Sequence, residues 1–352
     1  MSKPPLSDFG WAEVGWHRAD GEGWKEVQTP HMDALVAEGL ELDRAYAYKF
    51  CSPSRSSLQS GRLPVHVNMV NLSPDISNAA DPVSGFAAIP RNMTGIATKM
   101  REAGYKTHQV GKWDAGMATF DHTPEGRGYD TSFGYFHHAN DYWTEKTGSC
   151  QTSEGQKRSP VDLWATDKPA STENGTTDEH PEGSMEGYEE YKFEQHVLGI
   201  IRDHDPATPL FLNYDMHIVH EPLQVPDLYL HKFDFIANST AKDFQGHRQY
   251  YHAMVHFADA VIGNLTAALK AKGMYEDTLI TLQSDNGGPS WAGSQHTANN
   301  YPLKGTKMAN WEGGVRTNAF VSGGFLKQMA PQMVGKKLEG YVHVCDWYAL
   351  AP

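Results

Sequence analysis

The run Cys51-Ser52-Pro53-Ser54-Arg55 stands between a predicted strand, Glu41 to Tyr48, and a predicted helix that passes Leu58 and Ser60 and ends at Gly61. A side chain at such a helix start faces unpaired backbone N–H groups and the positive end of the helix dipole, where an anion is stabilised. A lone cysteine is ordinarily a small buried apolar residue and a lone Arg55 a surface charge. Further along, Lys112, the stretch His217 to His220, and Asp285-Asn286 each stand just past a predicted strand. In parallel sheets ligands gather beyond the carboxyl ends of the strands, so these residues are expected to converge. Singly, each has a plainer reading. Asp285-Asn286-Gly287-Gly288 is also a turn sequence. Lys112 and Lys307 read equally as solvated lysines, and His217 and His220 as packing or capping residues. Tyr142 and Trp143 are candidates for a sugar platform or for packing.

The elements that would position these groups alternate. Thr94 to Tyr105 reads as an amphipathic helix ending at Gly104, and Lys106 to Trp113 as a strand. Glu189 to Asp203 is a second helix and Pro209 to Met216 a short buried strand bounded by turns. Gly246 to Gly273 is the longest helical pattern, with Met254, Phe257, Ala258, Val261, Ile262 and Leu265 at three-and-four spacing, and Thr278 to Ser284 is the strand after it. Repeated helix-then-strand units imply an α/β fold, a mostly parallel sheet with helices on both faces. Thr147 to Glu190, rich in Gly, Ser, Thr, Glu and Pro, is expected to be a surface loop. Internal repeats and a nucleotide-binding glycine loop are absent.

Over 352 residues the formal net charge is −13, which argues against a nucleic-acid partner. Hydrophobic residues make up 39% of the chain, ample for a core. No run approaches the ~20 apolar residues that span a bilayer. Three cysteines, Cys51, Cys150 and Cys345, are too few for a disulfide scaffold and cannot all pair, so one of them invites a chemical explanation. The start of the chain lacks the layout of a secretory signal. Five Asn-x-Ser/Thr sequons, at Asn71, Asn92, Asn174, Asn238 and Asn264, lean the other way, toward a secretory-pathway protein, lysosomal or extracellular.

Cys-x-Pro-Ser-Arg before a helix with a Gly-Arg stop resembles the signature of the formylglycine-dependent (type I) sulfatases. The resemblance extends over essentially the whole chain. Thr29-Pro30-His31-Met32-Asp33 looks like the family's Thr-Pro-x-x-Asp helix start, and Gly111-Lys112-Trp113 like its second signature. Phe211 through Pro226 is similar to the arylsulfatase B branch at His220-Glu221-Pro222-Leu223. Ser284 through Gly288, Pro302 through Lys307 and Trp311 through Arg316 match its metal and lysine segments.

The resemblance implies an alkaline-phosphatase-like fold and hydrolysis of sulfate monoesters, from sulfated sugars or aryl sulfates. It implies that a formylglycine-generating enzyme oxidises Cys51, and that the aldehyde's hydrate supplies one hydroxyl to attack sulfur and another to release sulfate. Asp8, Asp285, Asn286 and the modified Cys51 would hold Ca²⁺, a hard cation suited to oxygen ligands. Arg55 would steady the hydrate, Lys112 and Lys307 would contact the sulfate, and His220 would protonate the leaving group.

Two departures stand out. Ser7 occupies the place of the first aspartate of the family's metal-binding pair, and the apolar strand expected before that pair is missing between Pro5 and Asp8. Asp114 stands where the family usually has a His that contacts the hydrate; it too could accept a proton. The chain is expected to be one catalytic domain, residues 1–352, ending before a smaller C-terminal domain. Two other readings stay open: a catalytically impaired relative that binds sulfated glycans, and a phosphatase or phosphodiesterase of the same superfamily. The latter is disfavoured by Cys51 and the oxygen-only ligand set.

Overall fold

The structure, a computed structural model, describes all residues except 1, 4, 19–22, 72–87, 149, 152–153, 167, 171–181, 238–244, 291–296 and 351–352. In chain order the strands are β1 (Ser2–Lys3), β2 (Pro5–Leu6), β3 (Leu40–Tyr46), β4 (Lys106–Lys112), β5 (Thr131–Tyr135), β6 (Cys150–Gln151), β7 (Lys157–Arg158), β8 (Trp164–Ala165), β9 (Lys168–Pro169), β10 (Leu210–Asp215), β11 (Ile280–Ser284), β12 (Ala319–Ser322) and β13 (Lys336–His343). Among the described residues all but β6 and β7 belong to one sheet, ordered β13-β3-β12-β11-β1-β10-β4-β5-β8-β9, with β2 continuing along β11.

Neighbours from β11 through β1, β10 and β4 to β5 are parallel. β12 runs antiparallel to both β11 and β3, so two reversals leave β3 pointing the same way as the parallel core. The carboxyl ends of β3, β4, β10 and β11 therefore share one edge of the sheet, and that edge carries the candidate residues. The mostly parallel α/β architecture stands as expected.

One face is covered by the helices Glu189–Asp203 and Gln245–Ala271. Their apolar residues, among them Val197, Ile201, Met254, Phe257, Val261 and Leu265, close over Val110, Leu212, Tyr214 and Leu282 of the sheet. The helix Ile96–Glu102 packs with Trp113, Tyr129 and Phe211 in a second cluster. Burial of this area is the main term holding the layers together, at about 25 cal/mol per Å² of apolar surface.

The strand expected to be missing is largely supplied. Ser2–Lys3 lies between β10 and β11, and Pro5–Leu6 pairs with Gln283 and Ser284. Sequence periodicity missed it because pieces of two residues carry no pattern, and pairing to two neighbours makes this a strand. The 147–190 stretch also departs from a plain surface loop. β8 adds antiparallel to β5, β6 pairs with β7, and Asp162 is buried.

Behind the Asp8 loop lies a buried charged group. His252 sits 3.3 Å from Glu13 and 3.5 Å from Glu26, and Arg248 and Arg18 also face Glu26. Burial pushes the Glu13 carboxyl up to about 8, against the pull of Arg18, from an ordinary 4.5. The folded state thus holds a proton that the unfolded chain has lost, and this contribution fades as pH rises from about 4.5 through about 8. Burial drives His252 down to about 3, which has the opposite sign but acts only below its ordinary 6.5. Stability is therefore expected to fall between pH 6.5 and 8, and Glu13→Gln to flatten that slope by up to about 1.4 kcal/mol per pH unit in urea titrations at the two pH values.

Candidate active site

The helix Cys51–Ser60 is buried along its whole length although eight of its ten residues are polar or Pro. Small serines let it sit close to the sheet edge, and Ser54 Oγ accepts the Tyr48 N–H at 2.9 Å, holding the turn that enters it. Gly61 closes it in the left-handed conformation, φ 69°. Cys51 occupies the first helical position, as the sequence reading placed it.

Lys112 ends β4. Gly111 before it has φ 90°, and a Cβ there would lie 2.1 Å from the Asp215 carbonyl oxygen. Only glycine brings the two strand ends this close. Gly111→Ala is expected to cost about 3 kcal/mol, from the left-handed backbone and the collision together, read by chemical denaturation.

The expected convergence is observed. Asp8, at φ 60°, accepts from Lys307 Nζ at 2.8 Å and from Asn286 Nδ2 at 2.7 Å, and its Oδ2 lies 3.7 Å from His220 Nε2. Donor atoms of Asp8, Cys51 and Asp285 all lie within 4.8 Å of one another. Cys51 Sγ points at Asn286 Oδ1, 3.5 Å away. Arg55 holds Asp285 through Nε at 3.1 Å and Nη2 at 3.0 Å, and its Nη1 donates to the Lys112 carbonyl at 2.9 Å. Asp114, also at positive φ, bonds Ser52 Oγ and lies 3.6 Å from Lys112 Nζ. Left-handed non-glycine residues cost about 1–3 kcal/mol each, and two of them here mark a site whose surroundings over-determine them.

The electrostatics favour an anion. Lys112 Nζ is buried with no hydrogen-bond partner among the described residues, an expensive state for an ammonium unless a ligand satisfies it. Burial opposes ionisation of Asp8, yet Lys307, His220 and Lys112 outweigh it and hold that carboxyl well below the usual range. Burial lifts the Cys51 thiol to about 11 despite both lysines, so an unmodified thiol is protonated at neutral pH and poorly nucleophilic. Burial also holds His220 and His217 well below 6.5, as neutral rings. The Glu221 carbonyl accepts from His220 Nδ1 at 2.7 Å, leaving Nε2 facing the site.

For a metal, Asp8, Asp285 and Asn286 offer hard oxygens, and the Oγ of Ser7 is buried with no hydrogen-bond partner among the described residues. That donor set fits a hard divalent cation such as Ca²⁺.

Three residues of this region were not singled out from the sequence. Asp215, at the end of β10, lies 3.4 Å from Arg55 Nη1; burial, against Arg55, pushes its carboxyl up to about 7. Glu189 accepts from Asn140 Nδ2 at 2.6 Å and pairs with His217 Nδ1 at 2.9 Å. His138 shares a 4.8 Å group with Cys51 and His220. A Gly-rich or charged signature would have flagged none of them; Asp215 alone had a signal, as the last residue of a buried strand. The platform reading of Tyr142 is corrected: its ring is fully buried, stacked between Tyr188 and His217, and Trp143 packs on Tyr188. Of the sequons, Asn92 and Asn264 are exposed, Asn71 Oδ1 accepts from Ser52 N at 3.3 Å, and Asn174 and Asn238 lie outside the described residues.

The mostly parallel sheet, with the candidate residues gathered along one carboxyl edge, has the alkaline-phosphatase-like fold of its structural neighbours. Ps i-CgsB superposes with a TM-score of 0.78 at 27% identity, over 99% of this chain and 71% of that one. The Sulfatase family profile matches residues 8–349, and the chain belongs to the sulfatase family. It is 34% identical to arylsulfatase J of Mus musculus over 97% of its length, and 26% identical to N-acetylgalactosamine-6-sulfatase of Rattus norvegicus over 89%. It spans about half the length of these curated relatives, 50% and 55%. Ps i-CgsB has also been solved with k-i-k-neocarrahexaose, a structure that matches this chain at 26% identity and a TM-score of 0.76.

Proposed function

We propose that this protein hydrolyses sulfate monoesters on sugars, using a formylglycine made from Cys51 and a Ca²⁺ held by Asp8, Asp285 and Asn286. The observation that carries the reading is the pair of buried lysines at the Cys51 helix start, Lys112, whose Nζ has no hydrogen-bond partner among the described residues and lies 3.6 Å from Asp114, and Lys307, a cationic seat for a sulfate. Burial lifts the Cys51 thiol to about 11, so the unmodified side chain would be a weak nucleophile and the reading assigns the attack to the modified one. When present, the aldehyde hydrate and the ion supply the attacking hydroxyl and neutralise charge on the ester oxygens. Arg55 keeps Asp285 in place, Lys112 and Lys307 bind the sulfate, and the negative charge of a bound sulfate beside His220 favours its protonated ring, whose Nε2 then hands a proton to the departing alcohol. A sugar rather than a simple aryl substrate is supported by the named relatives that act on or bind sugars. A secretory setting is supported by the exposed sequons at Asn92 and Asn264.

Peptide mass spectrometry tests the reading first: conversion of Cys51 lowers that peptide's mass by about 18 Da. The converted protein should turn over an aryl sulfate, and a calcium chelator should abolish that turnover and lower the denaturation midpoint, with added Ca²⁺ restoring both. A converted protein without turnover would instead favour a glycan-binding role, and an unconverted thiol would remove the nucleophile. Among the described residues no helix is long and apolar enough to cross a membrane.

A further inference from the structure

His138 stands in the loop just after β5, at a position where nothing in the sequence pattern announces chemistry. Its ring nitrogen lies within 4.8 Å of Cys51 Sγ and of the corresponding atom of His220, and its ring meets that of His220 edge to face at 5.4 Å. His138 Nδ1 is buried with no hydrogen-bond partner among the described residues. A buried imidazole nitrogen left unpaired is costly, and the ring that carries it stands beside Cys51 and His220.

The loop that presents it is anchored on both sides. The backbone N–H groups of Phe136 and His137 donate to Asp162 at 3.1 Å and 2.8 Å, and His137 Nδ1 bonds the same carboxylate at 2.9 Å. Asn140 bonds Glu189, which also holds His217, so the His138 loop and the His220 segment are tied to one carboxylate. Asp114 does not compete for this place, since its carboxylate is directed to Ser52 and Lys112.

From this geometry we infer that His138 is a further catalytic residue, one whose imidazole hydrogen-bonds the reacting oxygen at position 51 while His220 serves the leaving group. The inference rests on the sulfatase reading above. The groups around its ring are Lys112, His220, Lys307 and Asp8. None of these is hydrogen-bonded to the ring, so a bound oxygen is the missing partner.

The test uses the full, converted chain with an aryl sulfate, turnover being expressed per formylglycine counted by mass spectrometry. His138→Ala is expected to lower kcat by roughly 10²-fold with KM changed less than threefold and an unchanged melting temperature. His138→Gln, which keeps a hydrogen-bonding amide, should recover about a tenth of the wild-type rate. It also serves as the readout if the alanine variant does not fold. Variants within twofold of an active wild type in kcat would overturn the inference while leaving the sulfatase reading intact. A loss that tracks lowered formylglycine content or melting temperature would overturn it as well, by making His138 structural. A converted wild type with no turnover would overturn both readings together.

Discussion

Cys51→Ala is expected to reduce aryl-sulfate turnover by about 10⁴-fold or more, to the background of the assay. The side chain lies at the centre of the site, within 4.8 Å of donor atoms of Asp8, Asp285, His138 and His220. On the proposed reading, removing it deletes the attacking group while the buried lysines remain. Cys51→Ser replaces the thiol by one hydroxyl and is not expected to restore turnover, because a single oxygen that accepts the sulfuryl group has no second oxygen beside it to drive release. Stability should move little in either case, about 1 kcal/mol, since a small buried side chain is exchanged for another. A steady-state assay with a converted wild-type control checks the first claim. Sustained turnover by Cys51→Ser would contradict the formylglycine reading.

Arg55→Ala is expected to act on both stability and activity. The guanidinium is buried and faces Asp285 at 3.0 Å and Asp215 at 3.4 Å. Its removal takes the paired cation from both Asp285 and Asp215 and deprives the Lys112 carbonyl of its donor. Breaking a buried pair from one side costs about 3–5 kcal/mol, far more than a surface bridge. Equilibrium urea unfolding should show that loss. Arg55→Lys should recover part of it, because an ammonium keeps the charge but cannot bridge Asp215, Asp285 and the carbonyl together. If Arg55→Ala unfolds at the wild-type midpoint, the two carboxylates do not depend on this cation.

These expectations depend on residues of two kinds, those that local pattern reveals and those that it does not. The strands β4, β10 and β11 and the helices Glu189–Asp203 and Gln245–Ala271 are legible in the sequence, because each buries one face or a whole short run, and that burial leaves a period. The Cys51 helix is legible for another reason, its pentad and its Gly61 stop. Apolar periodicity would have failed there, since the helix is buried yet mostly Ser.

What the sequence by itself determined is therefore the set of α/β elements, the sheet edge at which Lys112, His220 and Asp285 would meet, and the family to which the pentad belongs. Tertiary structure alone decided the rest. Two-residue strands become part of the sheet centre only because β10 and β11 offer free ladder groups on either side. Asp162 is buried because it accepts the loop amides of Phe136 and His137. His138 comes to face Cys51, 87 positions earlier, through that anchored loop. Contacts of this range are set by how layers close over one another, and side-chain type along the chain holds no record of them.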